Sequence, residues 1–207
     1  MADFAIENRL KKKGFDLIIG VDEAGRGPLA GPVVAGAVCL ATSRFKNRID
    51  DSKKLSANQR ENAFLEIIQK STFSLGVVDE KVIDSSNILS ATRLCMEKAI
   101  RSLLKKIVRR KICIIVDGNP GLGIYDYPVF YIVGGDAKSK TIACASILAK
   151  VSRDRIMSLY DRVWPEYGFL RHNGYPTDSH RQALEQFGPC PVHRLSFSYA
   201  NSKSRYN

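Results

Sequence analysis

Four acidic residues stand where apolar runs stop. Asp22 and Glu23 follow the run at 17–21, Asp117 follows 112–116, and Asp136 follows 129–133 across two glycines. Apolar runs of this length, bounded by turn residues, read as buried strands. Each acid alone is an ordinary turn former or helix cap. Gathered at the ends of strands that can lie side by side, the four would repel one another unless a cation binds among them. Oxygen-only ligands suit hard divalent ions, so the set points to Mg²⁺ or Mn²⁺ over zinc. His172, His180 and His193 lack zinc-motif spacing and are expected as surface or hydrogen-bonding groups.

The turn after Glu23 reads Ala24-Gly25-Arg26-Gly27-Pro28-Leu29-Ala30-Gly31. It fails as a dinucleotide-binding loop: the glycine spacing is off by one, Pro28 removes an amide donor, and Asp22 and Glu23 put negative charge where a diphosphate needs positive potential. A metal-bridged phosphate is compatible with the same electrostatics. Gly25 and Gly27 let the backbone approach a ligand closely, and Arg26 between them can reach its phosphate or sugar. Residues 135–141, Gly-Asp-Ala-Lys-Ser-Lys-Thr, pair lysine with serine without Walker spacing, which excludes a nucleotide-triphosphatase loop.

Charge agrees with a polyanionic partner. Over 207 residues, 32 basic against 21 acidic side chains leave a net +11, a standing attraction to nucleic acid. The densest basic run, Lys105, Lys106, Arg109, Arg110 and Lys111, suits the end of a helix, where cations are favoured. With 44% hydrophobic and 26% charged residues, the composition is that of a globular chain and excludes a disordered one. No stretch approaches the about 20 apolar residues of a membrane helix, and the first residues lack an apolar signal core. Cys39, Cys95, Cys113, Cys144 and Cys190 make an odd set without C-x-x-C spacing. They read as buried, reduced thiols of a cytoplasmic protein.

The elements that must position these residues follow from periodicity. Strands are expected at 17–21 and 32–40, joined by a tight turn. Ser56 with Gln59 forms a capping box that opens a helix, and a strand follows at 73–78. Apolar residues at helical spacing run through 88–104, then strands at 112–116 and 129–133. A long helix from 141 is stopped by Trp164-Pro165, and a last one spans 178–188. This order predicts an α/β fold, a mixed sheet covered by helices, as one domain over residues 1–190 with a short polar tail at 191–207.

The segment from Gly20 to Gly31 closely resembles the N-terminal signature of bacterial ribonuclease HII, the type 2 ribonuclease H. The resemblance continues through Asp51-Ser52-Lys53-Lys54-Leu55, Val116-Asp117-Gly118-Asn119, Gly135-Asp136-Ala137, the block at 145–151 with Arg153-Asp154, and the segments at 167–169 and 174–177. The blocks keep the family's order from residue 19 to about 197. The resemblance implies an RNase H-like fold, a five-stranded mixed sheet flanked by helices with additional C-terminal helices. It implies a monomeric endoribonuclease that hydrolyses the RNA strand of RNA–DNA hybrids and cuts 5′ of ribonucleotides embedded in duplex DNA, with two divalent ions, Mn²⁺ or Mg²⁺. By position, Asp22, Glu23, Asp117 and Asp136 match the family's metal-binding acids. Gly25, Arg26 and Gly27 match the segment that reads the ribonucleotide 2′-hydroxyl and the junction after it, Tyr175 matches the aromatic residue that checks the deoxyribose side, and Lys53 looks like a phosphate contact. Contact of the tail with a replication clamp is a further implied partner. Gly134 and Asn173 depart from the pattern: the family has lysine at both, so two cations are missing near the expected substrate path.

Three other readings explain less. A junction resolvase would share the acids but has no use for Gly-Arg-Gly beside them. A non-catalytic nucleic-acid module would gain nothing from carboxylates that repel phosphate. Ribonuclease HIII would bring an N-terminal substrate-binding domain, and residues 1–16 alone precede the first strand.

Overall fold

The computed structural model describes residues 1–108 and 111–198. Five strands form one mixed sheet in the order β3-β2-β1-β4-β5: β1 (Leu17–Ala24), β2 (Val33–Leu40), β3 (Ser71–Val78), β4 (Ile112–Asp117) and β5 (Val129–Ile132). β1 pairs antiparallel with β2 and parallel with β4, and β4 pairs parallel with β5. The central strands β1 and β4 are buried on both faces, which is why they read as unbroken apolar runs. The expected five-stranded, helix-flanked α/β fold is the one observed.

Among the described residues seven α-helices accompany the sheet: α1 (Ala5–Lys12), α2 (Ala57–Lys70), α3 (Glu80–Ser85), α4 (Ile88–Leu104), α5 (Lys140–Val163), α6 (Phe169–His172) and α7 (Asp178–Phe187). Odd-numbered residues of β1, such as Ile19 and Val21, pack with Cys95, Met96 and Ala99 of α4. Val38 of β2, on the opposite face, packs with α2 and α5 through Phe64, Ile67 and Leu148. The capping box opens α2 as predicted, and α5 ends at Trp164-Pro165. α1 was not foreseen, because it buries only Glu7 and Leu10 and shows no apolar stripe. It is held at two points: Leu10 packs with Ile18 and Ile142, and the Glu7 carboxylate accepts from Ser139 Oγ at 2.6 Å and Thr141 N at 2.9 Å, capping α5.

The segment expected as a polar tail from 191 is, through Ser196, part of the domain. Gly31 N donates to Val192 O and Arg194 N to Leu29 O, both at 2.8 Å, and the Asp84 carboxylate accepts from Leu195 N and Ser196 N at 2.9 Å. Val192, His193 and Arg194 are buried. Of the basic run, Lys105 and Lys106 do follow the end of α4; Arg109 and Arg110 lie outside the described residues. All five cysteines are buried and unpaired, and burial pushes the Cys95 thiol up to about 12. Among the described residues no helix is long and apolar enough to cross a membrane.

The three histidines are buried, not at the surface as one expectation had it, and each is fully hydrogen-bonded. His193 Nδ1 accepts from Cys190 N at 2.9 Å, so its proton sits on Nε2, which donates to His180 Nε2 at 3.0 Å. That leaves the His180 proton on Nδ1, donating to Tyr175 O at 3.0 Å. His172 accepts from Gly174 N through Nδ1 and donates through Nε2 to Tyr167 O at 2.9 Å. The assignment follows from the partners' chemistry. All three rings must be neutral, since a second proton would set a donor against a donor. Burial draws His180 and His193 down to about 4, with neighbouring histidines adding to it.

A pH dependence of stability follows. The unfolded histidines take up protons near pH 6.5 while the folded ones do not until about pH 4, so unfolding consumes protons between these values and acid destabilises the fold. Between pH 6.5 and 5 the free energy of unfolding should fall by roughly 1 kcal/mol per pH unit for each of His180 and His193. Urea titrations at pH 7, 6 and 5 check this; a flat profile would exclude the neutral chain.

Candidate active site

Parallel pairing of β1 with β4 sets Val21 opposite Val116, so the next residues, Asp22 and Asp117, stand side by side on neighbouring strands. Asp136 arrives from the single 3-10 turn Gly135–Ala137 after β5. One carboxylate oxygen from each of Asp22, Asp117 and Asp136 lies within 4.8 Å of the others. Glu23, the next residue of β1, projects to the opposite face of the strand and binds Arg26 Nη1 at 3.3 Å. Asp22 Oδ1 accepts from Glu23 N at 2.8 Å, and Asp117 Oδ1 accepts from Gly135 N at 2.6 Å, which ties the strand end to the turn that carries Asp136.

The electrostatics show a site short of positive charge. Burial raises Asp22 well above the usual carboxylate range, and the charges of Glu23 and Asp117 raise it further. Glu23 is raised by burial against the pull of Arg26. Burial and then Asp117 and Asp51 raise Asp136, opposed by Lys53. A divalent cation stabilises such a convergent carboxylate cluster, in which Asp22, Glu23 and Asp136 resist ionisation, and an all-oxygen donor set fits Mg²⁺ or Mn²⁺. The residues present therefore fit such an ion.

Asp22, Glu23, Gly25, Arg26, Gly27, Lys53, Asp117 and Tyr175 line one cleft of about 510 Å³. Of the nine residues singled out in the sequence, only Asp136 is not part of that wall, and it joins through the carboxylate cluster. The Tyr175 ring faces the turn: a Cβ on Gly27 would lie 3.7 Å from Tyr175 Cε1. Lys150 Nζ stands 5.9 Å and Arg153 Cζ 6.0 Å from the ring centroid.

The cleft also contains Ser52, Ser146 and Lys150, which were read as parts of motifs without a place in the site. Ser146 and Lys150 stand four apart on α5 and so share a face; two polar residues on that otherwise buried face were the available signal. The two departures have a backbone explanation. Gly134 and Asn173 both adopt left-handed conformation, at φ 63° and 49°, and Asn173 is the only such non-glycine among the described residues. Glycine and asparagine are the residues most at ease there.

The family model for ribonuclease HII matches residues 19–200. A ribonuclease HII of Caldicellulosiruptor bescii is 48% identical over 94% of this chain and 92% of its own, and one of Ruminiclostridium cellulolyticum is 47% identical over 93% of this chain and 74% of its own. The crystal structure of ribonuclease H2 from Pyrococcus horikoshii OT3 superposes with a TM-score of 0.73 at 28% identity, covering 92% of this chain and all of that one. With matching strands, helices and sequence over nearly its whole length, this chain belongs to the ribonuclease HII family and is a type 2 ribonuclease H, a hydrolase with activity on RNA–DNA hybrids.

Proposed function

We propose that the chain also cuts DNA duplexes 5′ of embedded ribonucleotides, and that in both reactions it uses two divalent ions, Mg²⁺ or Mn²⁺, and leaves 5′-phosphate and 3′-hydroxyl ends. The observation that carries this reading is adjacency. The Gly25-Arg26-Gly27 turn begins directly after Ala24, the last residue of β1, and shares one cleft with Asp22, Glu23, Asp117 and Tyr175.

In this reading Asp22, Asp117 and Asp136, whose carboxylate oxygens converge, would hold the ions together with Glu23. Bound there, divalent ions supply Lewis-acid stabilisation of the phosphate and a water acidic enough to act as nucleophile near neutral pH. Lys53 and Arg26 draw in phosphate. The backbone of the Gly-Arg-Gly turn approaches the sugar, whose 2′-hydroxyl is the one group that distinguishes RNA from DNA. Tyr175 packs its ring on the neighbouring deoxyribose and leaves no room for a ribose there. The clamp contact expected of the last residues falls partly on 199–207, outside the described residues.

The test is cleavage of three duplexes, all DNA, RNA–DNA hybrid, and DNA with one ribonucleotide, with and without divalent ion. Cleavage of the third at the 5′ side of the ribonucleotide is expected, and its absence would remove the reading. Asp117→Asn should lower turnover by at least about 100-fold, since a lost ligand charge removes several kcal/mol of transition-state stabilisation. It should also raise the melting temperature without metal, because Asp22 loses a repelling neighbour. Half the parent rate at saturating Mn²⁺ would sink the ligand assignment.

Tyr175→Ala should lose most activity on the single ribonucleotide and less on the long hybrid, so the ratio of the two rates is the quantity to measure. Gly134→Lys and Asn173→Lys should each tighten binding and steepen the salt dependence by a log–log slope of about 0.9 per new phosphate contact. Each should also cost about 1 kcal/mol of stability through left-handed strain. Unchanged salt slopes would place both positions off the substrate path.

A further inference from the structure

Two arginines that take no part in the chemistry hold the cleft together. Arg194 and Arg153 are almost wholly enclosed, 0% and 1% exposed. A buried cation normally requires an anionic partner, yet both are satisfied by main-chain carbonyls. Arg194 donates from Nη2 to Gly25 O at 2.6 Å and Gly31 O at 2.7 Å, from Nη1 to Arg26 O at 3.0 Å, and from Nε to Gly31 O at 2.9 Å. Arg153 donates to Pro32 O at 2.9 Å, Ala30 O at 3.0 Å and Asn173 O at 2.9 Å.

These bonds fix the direction of the turn's amides. In a trans peptide the C=O and the following N–H point opposite ways, and the structure contains no cis peptide among its described residues. With the carbonyls of Gly25 and Arg26 turned inward to Arg194, the N–H groups of Arg26 and Gly27 point away from it. Both residues are exposed and line the cleft. Among the described residues neither amide has an acceptor in the chain. Arg153 fixes the other side, since Asn173 stands two residues before Tyr175. Gly25, at φ +99°, has no room for a side chain: a Cβ there would lie 2.2 Å from Arg153 Nε.

We propose that Arg194 is a positioning residue for ribonucleotide selectivity. It aims the Arg26 and Gly27 amides at the sugar, while Arg153 sets the spacing between that turn and Tyr175. The inference rests on the reading of the cleft given above and adds to it the residue that enforces the geometry.

The experiment compares the parent with Arg194→Lys and Arg194→Ala on the single-ribonucleotide duplex, measuring kcat and KM, with Mn²⁺ affinity as a readout independent of cleavage. Lysine keeps the charge but cannot fork to three carbonyls. Both variants should bind Mn²⁺ as the parent does. Their kcat/KM should fall by about 100-fold, the scale expected when a reacting group is displaced by ~1 Å. Added guanidinium chloride at non-denaturing concentration should restore part of the loss in Arg194→Ala and none in Arg194→Lys. Should the alanine variant fail to fold, the lysine variant carries the test. A folded Arg194→Lys protein with the parent's kcat/KM overturns the positioning role, as does a loss accompanied by equally weakened Mn²⁺ binding. A parent that leaves the ribonucleotide-bearing duplex uncut overturns the reading of the cleft itself, so the two failures are told apart.

Discussion

The parallel pairing of β1 with β4 forces two carboxylates into a neighbourhood that neither would choose. Asp22 and Asp117 stand next to each other on adjacent strands, and burial with the neighbouring charges raises the energy of charging Asp22. That cost is accepted at one end of two central strands buried on both faces, where the core secures them well enough to hold repelling groups in place. Asp136 and Glu23 add to the strain from the two sides. The region is held folded by the strands behind it and awaits positive charge in front of it, which is the condition a cation-dependent hydrolase needs.

Around this charged centre the cleft is assembled from distant parts of the chain. β1 supplies the first acids and the turn, the segment after β5 supplies Asp136, and the far C-terminal region supplies Tyr175 together with its supports. The neutral chain from Cys190 through His193 and His180 ends on the Tyr175 carbonyl. Tyr175 is thus fixed by its backbone while the residue stays 41% exposed at the cleft. Rigid main chain with a free side chain suits the shape-testing role proposed for Tyr175.

What the sequence made legible was whatever repeats locally. The strands could be read because central parallel strands leave unbroken apolar runs, and the acids because each run stops at one. Ser56 and Gln59 announced α2. Arg194 was not legible, because its partners are carbonyls some 163 to 169 residues away, and carbonyls carry no residue identity. The same holds for His180 and His193, whose spacing spoke only against zinc. At Gly134 and Asn173 the resemblance showed two missing cations, and only backbone angles showed what the replacements fit. α1 escaped because it buries only Glu7 and Leu10, too few positions to show an apolar stripe.

The hydrogen bonds of Arg194 to Gly25, Arg26 and Gly31 also impose an order on biosynthesis. A ribosome delivers the chain from its N-terminus, and early segments fold as they emerge. The strands that carry Asp22 and Asp117 are complete well before residue 194 is made, so the nascent protein holds its acids in a sheet while the turn beside them still lacks its clasp. Contacts spanning this much of the chain close late, since their loop entropy must be met first. A chain that stopped before residue 194 would therefore keep the sheet and its acids but lack the bonds that hold the turn, and a cell has reason to clear such truncated chains quickly.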